Sequence, residues 1–322
     1  MEYWSIGFAP LLQYSTTPIL QYFGDMMNPI IQCVPNFSEG RDPFAVESIV
    51  DAARQASAAR VIDYSFDPDH NRLVVTFLGG PEEIRHAVFA SAAKAIELID
   101  MRRHTGAHPR IGAVDVVPLV PIHGITMQEC VDLSYEIGRD IAEKLGVPVY
   151  FYECSATLSH RTNLADIRRG GYEYLSANGL QGDRAPDLGP CRAHPTAGAT
   201  VVGARSPLIA YNVNLDSRDM EVARAIVRKI RSGEAGLEGV KSMSVWLAAK
   251  SKAQVSMNIT KPDAASMRDI YRFVEGEARK YNIAVAESEI IGVVPRKYLD
   301  GASPQELRAI QFKDSQILET WL

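Results

Sequence analysis

Two histidines, two glycines and an arginine fall within nine residues, His104-Thr105-Gly106-Ala107-His108-Pro109-Arg110-Ile111-Gly112. Imidazoles titrate near neutral pH and suit proton transfer, and a guanidinium pairs with carboxylates through two parallel hydrogen bonds. His108 is the sharpest candidate, because Pro109 biases its backbone towards an extended conformation and Gly106 and Gly112 permit tight turns on either side. A metal site on His104 and His108 is a rival. Their spacing puts both rings on one face only in a helix, and Gly106 and Pro109 oppose a helix. A solvated surface loop with no chemistry would carry the same residues.

These residues need rigid elements behind them. The apolar run 113–122 reads as a buried strand that would anchor the loop. Upstream, Ile30 to Phe37 reads as a strand, and Asp42-Pro43 opens a helix. Val61 to Tyr64 is a strand, Asp67 to Asn71 a turn, and Leu73 to Leu78 a strand. A second helix starts at Gly79-Gly80-Pro81. Thr126-x-x-Glu129 is a capping box for a third, and Val147 to Tyr152 is a further strand. The first half is thus β-α-β-β-α-β with an appended α-β. Residues 160–200 give mixed signals, with a short helix at Leu164 to Arg169 and a long loop from Asp183 to Gly198.

The second half repeats the order. Strands at Leu208 to Leu215, Lys241 to Ala248, Gln254 to Ile259 and Ile283 to Ala286 alternate with helices at Met220 to Ile230 and after Pro262-Asp263. Gly40-Arg41-Asp42 and Ser217-Arg218-Asp219 each enter the first helix of a half, and Val117-Pro118 and Val294-Pro295 lie late in each. The predicted fold is α+β, an internal duplication of two ferredoxin-like (split β-α-β) subdomains. Each is a β-sheet with helices on its outer face, and a ligand cleft lies between them. Residues 28–205 form the first and 206–322 the second. Residues 1–27 lack Lys and Arg and read as a non-core extension, the functional part starting at Met26 or Met27.

The chain has 322 residues and a net charge of -5, with no basic cluster larger than an Arg-Arg pair, so nucleic acid is not expected. No apolar run is long enough to span a bilayer. Cys33, Cys130, Cys154 and Cys191 form no C-x-x-C pair, which suggests reduced thiols in a cytoplasmic protein.

Longer motifs sharpen the reading. Cys33-Val34-Pro35-Asn36-Phe37-Ser38-Glu39-Gly40, Asn71-Arg72, His104 to Arg110, Tyr211-Asn212-Val213-Asn214 and Gln254-Val255-Ser256-Met257-Asn258 resemble the formiminotransferase domain of glutamate formiminotransferases, over about residues 29–300. The chain is similar to the stand-alone form without a cyclodeaminase. The resemblance implies transfer of a formimino group from N-formimino-L-glutamate to N5 of tetrahydrofolate, the acceptor substrate, with no metal. It also implies small-molecule substrates and a homodimer. It puts the catalytic histidine at His108, as general base and acid. The folate loop falls on Gly189, Pro190, Cys191, Arg192, Ala193, His194, Pro195, Thr196, Ala197 and Gly198, just before Gly198 to Arg205.

The chemistry suits these residue types. The attacking nitrogen must lose a proton and the departing one must gain one, and histidine does both near its pKa. Arg72, Arg110 and Arg205 are candidates for substrate carboxylates, with structural ion pairs as the alternative. Asp63, Asp67 or Asp69 would orient His108, or merely form turns. Asn36 and Asn71 would hold pterin or amidine nitrogens, or bond only to backbone. His104 reads as a solvated neighbour. Gln254 and Asn258 share a strand face that could line the cleft. The rival functions are a formylglutamate- or formylfolate-using one-carbon enzyme and a non-catalytic folate-binding module. The lack of a G-x-x-x-x-G-K-[ST] loop counts against an ATP-using ligase.

Overall fold

The computed structural model describes residues 29–322 except 234 and 300, so the proposed extension lies outside the described residues. The chain builds two β-sheets. In the first part, β1 (Ile30–Cys33) and β2 (Asn36–Phe37) are halves of one strand, both lying between β4 (Arg72–Gly79) and β5 (Val114–His123). Pro35, which has no N–H to donate, interrupts it. β3 (Arg60–Asp67) flanks β4, and β7 (Thr200–Ala204) and β6 (Val149–Phe151) extend the sheet beyond β5 in parallel. Helices α1 (Pro43–Ala56), α2 (Pro81–Leu98) and α3 (Met127–Leu145) bury their apolar faces on one side of this sheet. Asp42 caps α1 by accepting from the Phe44 N–H, and Thr126 with Glu129 forms the expected capping box on α3.

β7 corrects the sequence reading, which took Thr200 to Ala204 only as part of a motif. A five-residue run carries little periodicity. It becomes a strand because Val201 and Val202 each find a core, one on either face. Gly203 also lets β7 close on Tyr152, whose carbonyl oxygen would lie 2.4 Å from an added Cβ. The excursion between β6 and β7 carries α4 (Leu164–Ile167) and α5 (Gly171–Asn178). Leu175 and Ile167 pack with Ile111, Tyr150 and Val201 on the face opposite the three long helices.

The second sheet has the order β11-β8-β10-β9, all antiparallel, from β8 (Ile209–Leu215), β9 (Val240–Leu247), β10 (Lys252–Ile259) and β11 (Val285–Ile291). Helices α6 (Met220–Ser232) and α7 (Met267–Arg279) cover one face. Asp219 caps α6 as Asp42 caps α1, so the matched tripeptides are matched caps. The other proposed parallel fails: Val117-Pro118 lies inside β5, whereas Val294 follows the end of β11 and bridges Ile317.

The face of the second sheet opposite its helices carries a row of polar side chains. Tyr211, Val213, Val255 and Met257 point into the helix-side core, so Asn212, Asn214, Gln254 and Ser256 point the other way. The two sheets are joined at their hairpin tips, where the Asp69 carboxylate accepts from the Ala249 N–H at 3.1 Å. Lys241 Nζ donates to Asn163 Oδ1, and Leu318 packs on Ile62 and Leu78.

Gly112 sits where the histidine loop meets the end of the excursion. An added Cβ would lie 2.1 Å from the Ala199 oxygen and 2.5 Å from that of Ala197. Gly112→Ala is expected to destabilise the protein by about 2 kcal/mol, as overpacking does, measurable by urea unfolding.

Candidate active site

The site is built where the β3–β4 tip, β2, the start of β5 and the loop 104–112 converge. Phe37, Ser38, His70, Asn71, Arg72, His104, His108, Arg110 and Asp115 line one narrow pocket. Phe37 and Leu73 point into the helix-side core, so their neighbours Asn36 and Arg72 face the opposite side.

Asn71 ties the loops together. It takes a left-handed conformation, φ 49°, which asparagine tolerates better than most residues. Its Oδ1 accepts from the Gly40 N–H at 2.9 Å, and its Nδ2 donates to the Thr105 carbonyl at 3.0 Å. Its own carbonyl accepts from His104 Nε2 at 2.9 Å. The amide is therefore spent on backbone, the second of the two uses considered for it.

His104 is buried rather than solvated, because Arg110 Nε donates to its Nδ1 at 3.0 Å while Nε2 reaches Asn71. An Nδ1 that accepts must be bare, so the ring is the neutral Nε2–H tautomer. Burial first and the Arg110 charge further down keep its pKa below the ordinary value. With both ring nitrogens engaged, His104 has no lone pair for a metal. Arg110 also grips Glu173 of α5 with two bonds, at 2.9 and 2.5 Å. Its guanidinium fastens the loop to the excursion.

Arg72 is placed differently. It donates to Asn36 Oδ1 and keeps a buried Nε with no partner among the described residues. Burial and the Arg168 charge lower its pKa to about 10, so it stays cationic at neutral pH. Asp115, which accepts from the Ile111 N–H at 2.9 Å, holds Arg168 in a buried ion pair. Fifty-three positions separate Arg168 from Asp115, and no sequence spacing signals the pair.

His108 lies half-buried between these groups. Its pKa is held well below 6.5, by desolvation first and then by Arg72, Arg168 and His70. Each positive neighbour disfavours the imidazolium, so at neutral pH the ring is a free base. None of the three candidate aspartates orients it. Asp67 pairs with His70, Nδ1 to Oδ1 at 2.9 Å; Asp69 bonds Ala249; and burial raises the pKa of Asp63. The sequence reading treated His70 only as a turn residue, yet its ring centroid lies 6.4 Å from that of His108.

The remaining candidates lie outside this pocket. In Gly189 to Gly198 the first part, Gly189 to Arg192, is exposed. His194 and Gly198 exchange backbone hydrogen bonds across a tight turn, and His194 Nδ1 accepts from the Ala197 N–H. The Thr196 and Ala197 carbonyls support Met101 and Ala113. This half of the loop therefore braces the histidine loop from beneath. Gln254 is fully buried; its Nε2 donates to Asn214 Oδ1 at 2.8 Å, and its Oε1 has no partner among the described residues. Asn214 in turn donates to Glu287 and Glu289, which share Lys250. Asn258 is exposed further along β10.

Two family models match this arrangement: the formiminotransferase domain, N-terminal subdomain, over residues 30–205, and the formiminotransferase domain over residues 210–309. The chain belongs to the formiminotransferase family. It is 41% identical over 297 residues to the glutamate formimidoyltransferase of Streptococcus pyogenes, covering 92% of this chain and 99% of that one. It is 40% identical over 292 residues to that of Thermoplasma acidophilum, covering 90% and 96%. Against the formimidoyltransferase-cyclodeaminase of Rattus norvegicus the identity is 39%, over 85% of this chain but 51% of the relative. No described helix of this formiminotransferase is long and apolar enough to cross a membrane.

Because Arg72 depresses the His108 pKa, Arg72→Gln is expected to raise it towards 6.5. An NMR titration of the His108 ring protons checks the sign: the wild-type ring titrates at the lower pH. Arg168→Met leaves Asp115 buried without its cation and is expected to cost about 3 kcal/mol of stability, read from chemical unfolding.

Proposed function

We propose that this formiminotransferase moves the formimino group of N-formimino-L-glutamate to N5 of tetrahydrofolate, releasing L-glutamate, with His108 as the base. The observation that carries the role of His108 is a neutral imidazole in a pocket with two guanidiniums. N5 of tetrahydrofolate is a secondary amine. As it bonds to the formimino carbon it becomes acidic, and a base must take its proton. An imidazole kept unprotonated by burial and positive neighbours is available for that at neutral pH. The names of the relatives supply the donor and the group transferred.

Arg72 is the cation available to a substrate carboxylate, since its Nε lacks a partner while Arg110 is fully engaged. Gln254 on the second sheet keeps an Oε1 without a partner among the described residues, and a ligand with N–H donors, such as a pterin, would satisfy it. Both sheets support the split β-α-β reading, because in each the strands order as fourth, first, third, second. The exposed residues Gly189 to Arg192 are the part of the folate loop free to meet a folate tail. Small molecules are the partners in this reading, and the homodimer and the cytoplasm remain part of the proposal.

The direct test incubates the protein with tetrahydrofolate and N-formimino-L-glutamate, with N-formyl-L-glutamate as competing donor. Glutamate release dependent on folate and faster with the formimino donor is expected; preference for the formyl donor would select the rival enzyme. His108→Ala should lose 10²–10⁴-fold in kcat while binding tetrahydrofolate within a few-fold of wild type. Near-normal turnover in that variant rejects the assignment.

A further inference from the structure

Expulsion of glutamate needs a proton on its nitrogen, because an amide anion is too basic to leave. His108 is poorly suited to store that proton, since two arginines and burial disfavour its imidazolium. A second imidazole faces the same pocket. His70 sits at the β3–β4 tip, its side chain 12% exposed. Its Nδ1 is bonded to Asp67 Oδ1 at 2.9 Å, and the same carboxylate oxygen accepts the His70 backbone N–H at 2.7 Å. A carboxylate on Nδ1 fixes the ring and leaves Nε2 as the working atom.

The distance between the two rings is fixed by the loop ties. The Ala107 N–H donates to the Asp69 carbonyl at 3.1 Å, His104 and Asn71 are joined, and a Cβ at Gly106 would meet the His70 oxygen at 2.4 Å. The rings lie 6.4 Å apart and are tilted by 51°. Stacked rings would leave no room between them; this separation places two imidazoles around one reacting centre.

We propose that His70, oriented by Asp67, is the acid that protonates the departing glutamate nitrogen, while His108 is the base for folate N5. The inference rests on the formimino-transfer reading. The donor enters as an amidinium, with His108 neutral and His70 protonated. N5 bonds to the formimino carbon, the C=N electron pair moves to the imino nitrogen, and the N5 proton passes to His108. His70 then gives its proton to the glutamate nitrogen. The lone pair on the amino nitrogen re-forms C=N as the bond from carbon to the glutamate nitrogen breaks. The products are the N5-amidinium and neutral glutamate amine, with His108 protonated and His70 neutral; between the two proton transfers the adduct is neutral and both imidazoles are protonated, so the total charge is conserved. Proton return from His108 to His70 resets the pair.

The test is steady-state kinetics on the full chain with tetrahydrofolate and N-formimino-L-glutamate. His70→Gln should lose about 10²-fold or more in kcat with both KM values within threefold of wild type. Asp67→Asn, which removes only the positioning carboxylate, should lose about tenfold in kcat. Added imidazole should restore turnover to His70→Ala, a response that a structural role would not give, and thermal melting confirms that the variants are folded. A kcat within threefold of wild type in His70→Gln, or a loss confined to KM, overturns the proposal and returns both proton transfers to His108. A wild-type chain that releases no glutamate overturns the parent reading instead.

Discussion

Three segments meet at one asparagine. Asn71 ends the β3–β4 tip in a left-handed turn, takes the Gly40 N–H on its side chain, gives its amide to Thr105 and offers its carbonyl to His104. No other polar side chain of similar length brings a donor, an acceptor and tolerance of positive φ to one position. The entry to α1, the hairpin tip and the histidine loop are therefore one body. A loop alone would leave its histidine free to swing, and a base must be held near its proton to be useful.

Electrostatics follows from that closure. Arg72 and Arg168 sit in a largely desolvated region, where charge is costly unless compensated. Asp115 and Asn36 compensate in part, and burial, with the positive remainder added to it, keeps His108 neutral. His70 has a carboxylate of its own, Asp67, bonded to its Nδ1. Asp67 holds a pKa below its ordinary value although burial opposes this, because His70 donates to it from both ring and backbone. The two imidazoles on one pocket thus have different partners: His70 is bonded to a carboxylate, and His108 lies among arginines.

The hairpin tips of the two sheets carry different residues. Asn71 and Ser251 both take positive φ just before β4 and β10, at equivalent positions in the two halves. The first tip carries Asp67 and His70. The second places Ala249 on Asp69 and Lys250 on Glu287 and Glu289. The second unit contributes a polar sheet face and a clamp on the first tip.

Much of this was legible in the sequence. Period-two and helical apolar patterns located the strands and the longer helices, since each has one buried face. Asp42, Thr126 and Asp219 announced helix starts because a cap bond is local, and the long motifs identified the family. Local pattern did not reveal β7, whose residues are buried on both faces, or α5, which is short and Gly-initiated. Nor could it show which of the two candidate arginines, Arg72 or Arg110, is already engaged. Glu173 occupies one and leaves the other with an unpartnered nitrogen, and only the path of the chain decides which. The same holds for Asp115 with Arg168 and for His70 beside His108. Backbone propensity and caps act over a few residues, so the sequence determines them directly. The charge and hydrogen-bond environment of a side chain is set by residues tens of positions away, and folding alone brings those together.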